Sequence, residues 1–209
     1  VSPNTKMLFL CSPNNPTGNT YATENIRTLI EEFQGIVILD EAYIDFSNQE
    51  SWADKVVEYP NLVVLQTLSK SFGLAGIRLG ISYAQEEIID YMMKVKAPYN
   101  INKLTSQKAI EGLQNWETVQ FRTDAIKKER KQLKEELEQL KIVQKVYKSE
   151  ANFLLTKFTD ANDIYEQLTK QNIIIRYRGD QPLCNNCLRI TVGTPDENAR
   201  LISALKKLG

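Results

Sequence analysis

Thr67-Leu68-Ser69-Lys70-Ser71-Phe72-Gly73-Leu74-Ala75-Gly76-Ile77-Arg78-Leu79-Gly80 decides the reading of this chain. The segment follows Leu62-Val63-Val64-Leu65, an apolar run of the kind a buried strand presents. It therefore begins where a strand ends, the place where open α/β sheets hold their ligands. Hydroxyls at Thr67 and Ser69 flank Lys70, small residues follow at Gly73 and Ala75-Gly76, and Arg78 lies eight positions past the lysine. A lysine in that setting can form a Schiff base with a carbonyl. Hydroxyls together with an arginine fork can hold a phosphate. The segment thus fits a small molecule bearing both a carbonyl and a phosphate; a surface loop with an incidental lysine and arginine is the plainer alternative.

The residues upstream favour the ligand. Ile36-Val37-Ile38-Leu39 is uniformly apolar, as strands covered on both faces tend to be, and runs straight into Asp40-Glu41-Ala42-Tyr43. A carboxylate at the end of a central strand is costly to bury without a cationic partner. A pyridinium nitrogen is such a partner, and a ring kept protonated by Asp40 is the electron sink of pyridoxal 5'-phosphate chemistry. Tyr43 could reach the phenolic oxygen of that ring. The alternative for Asp40 is a helix N-cap. Earlier still, Ser12-Pro13-Asn14-Asn15-Pro16-Thr17-Gly18 enforces a tight loop after the strand-like Met7–Cys11. The Asn15 amide can donate from it to a ligand oxygen, Asn15-Pro16 is a candidate cis peptide, and a plain turn is the other reading.

Composition sets the class. The chain has 209 residues, 42% hydrophobic and 25% charged, with 26 basic against 26 acidic side chains. That is ordinary globular composition, without the basic footprint of a nucleic-acid binder or a segment of membrane-spanning length. Neither nucleic acid nor membrane is expected as a partner. The chain has no histidine, which removes Ser-His and Cys-His catalytic pairs. It has 3 cysteines, too few for a disulfide framework, so a reducing cytoplasm is the default. Cys184-Asn185-Asn186-Cys187 is a C-x-x-C, but the further ligands a metal needs are missing. A redox dithiol is expected at a helix N-terminus, whereas this pair leads into the strand-like Leu188–Val192, so the reading is a loop with two thiols and no metal.

Along the rest of the chain, Thr23 to Phe33 has helical spacing at Ile26, Leu29, Ile30 and Phe33, and Leu79 to Tyr83 reads as a fourth strand. Glu86 to Val95 and Ile101 to Leu113 are helical in pattern, and Trp116 to Leu140 is a long charged amphipathic helix. Beyond Val143, strands are expected at Asn152–Leu155, Ile173–Ile175 and Leu188–Val192, with helices over Ala161–Gln171 and Asp196–Leu208. This divides the chain into a large-domain portion over 1–115, a linking helix over 116–142 and a small α+β domain over 143–209. The absence of an initiator Met before a strand at Met7 leads us to expect a missing N-terminal portion.

With these residues assembled, the chain resembles the fold-type I pyridoxal-phosphate-dependent aminotransferases, and within them the branch acting on histidinol phosphate. The ordered motifs are Asn-Asn-Pro-Thr-Gly at 14–18, Asp-Glu-Ala-Tyr at 40–43, Thr-Leu-Ser-Lys at 67–70, Gly-Leu-Ala-Gly-Ile-Arg at 73–78 and Leu-Arg-Ile-Thr-Val-Gly-Thr at 188–194. The resemblance implies an α/β fold with a mostly parallel large-domain sheet and a small α+β domain. It implies transamination between an amino donor, histidinol phosphate, and a 2-oxo acid acceptor, 2-oxoglutarate, in a cytoplasmic homodimer of histidine biosynthesis. Lys70 would be the catalytic lysine; Asp40, Tyr43, Asn15, Thr67, Ser69 and Arg78 would bind the cofactor. Arg189 would take the substrate carboxylate or phosphate, and Arg176 would be a second arginine for that phosphate. Tyr177 and Gly179 stand where the resemblance implies an acidic residue and a serine. The family's N-terminal glycine/serine phosphate loop and ring-stacking aromatic have no counterpart here, so little or no activity is expected of these residues alone. The alternatives are an aromatic-type aminotransferase, a pyridoxal-phosphate-dependent decarboxylase of a phosphorylated amino compound, or a non-catalytic binding domain that keeps the fold.

Overall fold

Short apolar runs become the strands β1 (Met7–Cys11), β2 (Ile36–Asp40) and β3 (Leu62–Thr67), which pair in parallel. In the computed structural model, which describes residues 1–209, β4 (Gly80–Tyr83) joins them antiparallel to β3 in the order β1-β2-β3-β4. Helix α1 (Thr23–Glu32) lays Ile26 and Ile30 against Val37, Leu39, Leu62 and Val64, with Trp52 and Val56 completing the cluster. These side chains alternate along β2 as a strand with one sealed face requires. The sheet is less evenly covered than the uniform apolarity of the runs suggested: Phe9 on β1 is 70% exposed. Between β2 and β3 the chain makes two 3-10 turns, Ile44–Phe46 and Ala53–Lys55, instead of an α-helix. Helices α2 (Glu86–Val95) and α3 (Lys103–Gln114) follow, the second capped by the Asn102 side chain, which accepts the Thr105 N–H at 2.9 Å.

The chain divides into two units, Val1–Pro13 with Thr20–Phe121, and Asn14–Asn19 with Arg122–Gly209. The division falls inside α4 (Trp116–Glu138), which stops short of the helix expected to run to 142. The second unit holds the antiparallel sheet β5-β6-β8-β7, from β5 (Val143–Val146), β6 (Phe153–Phe158), β7 (Arg176–Tyr177) and β8 (Cys187–Thr191). Leu133 and Leu137 of α4, Ile164 and Leu168 of α5 (Ala161–Lys170), and Leu201 and Leu205 of α6 (Pro195–Lys206) close over Leu154, Phe158, Leu188 and Ile190. Helix α6 opens with the full capping box, Thr194 and Glu197 bonding each other's backbone N–H.

The structure departs from or adds to the sequence reading at three points. The strand expected at Ile173–Ile175 is the two-residue β7 at Arg176–Tyr177. Residues 171–173 are consumed by the end of α5: Asn172 takes the left-handed conformation at φ 56°, and the Ile173 N–H bonds the Leu168 carbonyl at 2.9 Å. That is a Schellman stop built on Asn where Gly is usual. Strand β5 was not anticipated, since Val143-Gln144-Lys145-Val146 carries too little apolar character to announce itself. The loop 14–19 joins the second unit: the Glu150 N–H bonds the Gly18 carbonyl at 2.7 Å, and a side chain at Gly18, with φ +76°, would collide with Ser149. Both Ser12-Pro13 and Asn15-Pro16 are cis.

Candidate active site

Because β1, β2 and β3 are parallel and in register, their carboxyl ends line one edge, Cys11 beside Asp40 and Asp40 beside Leu65. Asp40 ends β2 and caps no helix. Its Oδ1 accepts the Ala42 N–H at 2.9 Å, which orients the carboxylate and leaves Oδ2 for a ligand. Tyr43 is buried, and the Lys70 Nζ stands 5.1 Å from the centre of its ring. Lys70 is otherwise exposed and makes no salt bridge. A cation over an aromatic face at such a site is worth about 0.5–1 kcal/mol, little enough to release the amine to a ligand.

The loop after Lys70 is tied at its root. Thr67 Oγ1 accepts the Ser69 N–H at 3.1 Å and donates to the Leu79 carbonyl at 3.4 Å. The Ser69 hydroxyl remains available. Arg78 closes the 3-10 turn Ala75–Ile77 in the left-handed conformation, φ 55°, rare for a residue with a side chain. One arm of its guanidinium donates to the Ala75 carbonyl at 2.9 Å and the rest faces solvent. A methyl group added at Gly73 or Gly76 would meet nothing within 4 Å, so the loop leaves an open cradle. An uncommitted amine, a carboxylate with a free oxygen, a phenol and a hydroxyl–guanidinium pair fit the aldehyde, ring nitrogen, phenolic oxygen and phosphate of pyridoxal 5'-phosphate.

Sequence reasoning passed over Glu41, which is 1% exposed. Strand alternation turns it away from Asp40. Its carboxyl accepts from the Trp52 N–H at 2.8 Å, the Ser51 hydroxyl at 2.5 Å and the Gln66 amide at 3.0 Å. It thereby ties the entry to the second 3-10 turn, at Ser51 and Trp52, to Gln66 of β3. The signal was a second acid placed immediately after the first, on the opposite face of an apolar strand.

Cys11 reports on Asp40. Burial, and then the charge of Asp40, push its thiol up. Asp40→Asn removes the second cause, so Cys11 should be alkylated faster at a given pH, while burial still holds it above an ordinary thiol. An unchanged rate would mean that the Asp40 carboxylate carries no charge beside it.

The second unit carries the remaining three predicted residues, Asn15, Arg176 and Arg189, whereas Lys70, Asp40, Tyr43, Thr67, Ser69 and Arg78 all lie in the first. Arg189 donates to the Asn15 side-chain carbonyl at 2.5 Å and stacks 4.8 Å above the Phe153 ring. That contact fixes the Asn15 amide with its nitrogen directed to other acceptors. Arg176 sits directly opposite Arg189 in the β7–β8 pair and is exposed. The register thus puts two cationic side chains on one face of the hairpin.

The chain matches the family model "Aminotransferase class I and II" over residues 1–205. Histidinol-phosphate aminotransferase of Flavobacterium johnsoniae is 52% identical over 208 residues, covering 100% of this chain and 60% of that protein. The chain thus spans about 60% of the length of the curated relatives it matches. Among solved structures, the histidinol-phosphate aminotransferase of Clostridium acetobutylicum superposes with a TM-score of 0.91 at 27% identity, over 97% of this chain and 64% of that one. The Sinorhizobium meliloti enzyme of the same name, in complex with pyridoxal 5'-phosphate, superposes with a TM-score of 0.86 at 23% identity, over 98% and 57%.

Proposed function

The chain belongs to the aminotransferase class I and II family, and on that premise we propose that it carries the lysine-bearing part of a site that transfers an amino group from histidinol phosphate to 2-oxoglutarate. The observation that carries the reading is the Lys70 amine poised over the Tyr43 ring at 5.1 Å, at the sheet edge where Asp40 ends its strand. Pyridoxal 5'-phosphate, when bound, supplies the electron sink that makes a substrate Cα proton acidic. The rest falls to the protein. Lys70 would hold the cofactor covalently and, displaced by the substrate amine, carry the proton between Cα and the cofactor C4′. Asp40 would keep the ring nitrogen protonated through Oδ2, Tyr43 and Asn15 would bond the phenolic oxygen, and Ser69, Arg78 and Thr67 would hold the phosphate.

Arg189 and Arg176 would take the anionic group of each substrate in turn, the phosphate of the donor and the carboxylate of the acceptor. Their placement opposite one another in the β7–β8 pair supports this, because it puts two cationic side chains on one face of the hairpin. Arg189→Ala should raise KM for both substrates by about 100-fold, the loss of roughly 3 kcal/mol in charge-assisted hydrogen bonds. A fall in kcat at unchanged KM would contradict an anion-binding role.

The test of the whole reading is substrate profiling of the protein that carries this chain, loaded with pyridoxal 5'-phosphate. Histidinol phosphate should be consumed with 2-oxoglutarate far faster than phenylalanine. A preference for phenylalanine would make it an aromatic-type aminotransferase; carbon dioxide released from threonine phosphate would make it a decarboxylase; no visible absorption from the cofactor would leave a non-catalytic domain. The reading also carries a homodimer and a cytoplasmic location on family grounds. Exposed apolar side chains on the first unit, among them Tyr91, Met93, Leu104 and Ile110, support a protein–protein surface there.

A further inference from the structure

The residues between β7 and β8 form three linked turns: Gln181 N–H to the Arg178 carbonyl at 3.0 Å, Cys184 N–H to the Gln181 carbonyl at 3.1 Å, and Cys187 N–H to the Cys184 carbonyl at 2.9 Å. The last of these brackets the C-x-x-C with a β-turn, its third residue Asn186 at φ 56°. A hydrogen-bonded β-turn brings its first and fourth Cα atoms within about 7 Å, and a disulfide spans Cα separations of about 4.4–6.8 Å. Both thiols are free and turn inward, 4% and 1% exposed, into one apolar cluster with Leu155 and against Tyr147. No further Cys, Asp or Glu joins them in a metal-binding group.

We infer that Cys184 and Cys187 are a thiol-oxidation site, joined by a reversible disulfide across the turn that leads into β8. Nothing in the proposed transamination uses either residue. The co-reactant is a low-molecular-weight disulfide. Cys184, the more exposed of the two and next to Leu183, which is 98% exposed, attacks it as the thiolate once the turn opens, releasing one small thiol and leaving a mixed disulfide. Cys187 then loses its proton and attacks the Cys184 sulfur, expelling the second small thiol. Two protein thiols are oxidised by two electrons and one small disulfide is reduced to two thiols. Burial and the neighbouring Cys184 push the Cys187 thiol up, with cross-strand Lys157 pulling it down, so Cys187 suits the second, intramolecular attack. The absence of a helix N-terminus, which argued against a redox role from sequence, makes the bond slow to form without altering its geometry. The turn adjoins the hairpin that pairs Arg176 with Arg189, and the Arg178 N–H bonds the Cys187 carbonyl at 3.0 Å at the same end.

The experiment equilibrates the reduced native protein with graded ratios of oxidised to reduced glutathione. Free thiols are counted after denaturation and the peptide spanning 184–187 is weighed. Two of the 3 thiols should disappear together, with the peptide lighter by two hydrogens. Cys11→Ser should leave that loss intact, whereas Cys187→Ser should trap a glutathione adduct on Cys184. Thiols that stay reduced at every ratio, or adducts on both cysteines of the unaltered protein with no internal bond, would overturn the inference. Because the unaltered protein decides it, a variant that folds poorly does not.

Discussion

In the protein that carries this chain, on the proposed function, Lys70→Ala is expected to lower transamination by about four orders of magnitude, the upper end of what one positioned acid–base group contributes, and to leave the fold unchanged. The side chain is exposed and contacts the Tyr43 ring, so stability should move by no more than about 1 kcal/mol. Lys70→Arg should be as inactive, since it keeps the charge over the ring but cannot bond an aldehyde or release a proton near neutral pH. The two variants separate charge from nucleophilicity, and cofactor absorption gives a second readout. Pyridoxal 5'-phosphate should still bind through the phosphate loop, with the spectrum of the free aldehyde. Either variant turning over within tenfold of the parent would remove Lys70 from the chemistry.

Glu41→Ala should cost about 3–4 kcal/mol, because it strips the acceptor from the buried Trp52 N–H and weakens two more bonds, each worth roughly 1–3 kcal/mol when a partner is lost in the interior. Gln66 retains its bond to the Ser51 hydroxyl at 2.9 Å, which keeps the total below the sum. Glu41→Gln preserves the acceptor for Trp52 and can donate to Ser51 but loses the bond from the Gln66 amide, so it should cost about 1–2 kcal/mol, less than Glu41→Ala. The pair also fixes a pH dependence. Burial lifts the Glu41 carboxyl above its ordinary 4.5, with Asp45 adding to it and the hydrogen bonds from Ser51, Trp52 and Gln66 opposing. The folded protein therefore holds a proton that the unfolded chain has given up. That contribution is complete below 4.5 and is lost as pH rises through the raised value, so stability should fall across this window in the parent and stay flatter in Glu41→Gln. Urea midpoints against pH measure it; identical slopes would show that Glu41 is not the group responsible.

The parallel strands and the residues at their ends were legible because both signals are local: an uninterrupted apolar run, then a reactive side chain where it stops. What escaped was determined by partners distant in sequence. Nothing near Asn14–Asn19 reveals that the loop packs on Ser149 and Glu150. Glu41 reads as a motif letter until the Trp52 N–H and the Gln66 amide are seen to converge on it. Ile173-Ile174-Ile175 has the composition of a strand, but the left-handed Asn172 spends its first residue on the helix end. Asn in place of Gly at that stop was the available clue. Arg176 and Arg189 were singled out separately, and only the register of β7 against β8 makes them a pair.

That pairing has a practical corollary for anyone measuring this protein. An arginine site proposed to take the phosphate of one substrate and the carboxylate of the other would also accept an oxyanion from the buffer. Phosphate or sulfate in the assay would then act as a competitor, inflating the apparent KM of the true substrates while raising the melting temperature of the protein in its storage solution.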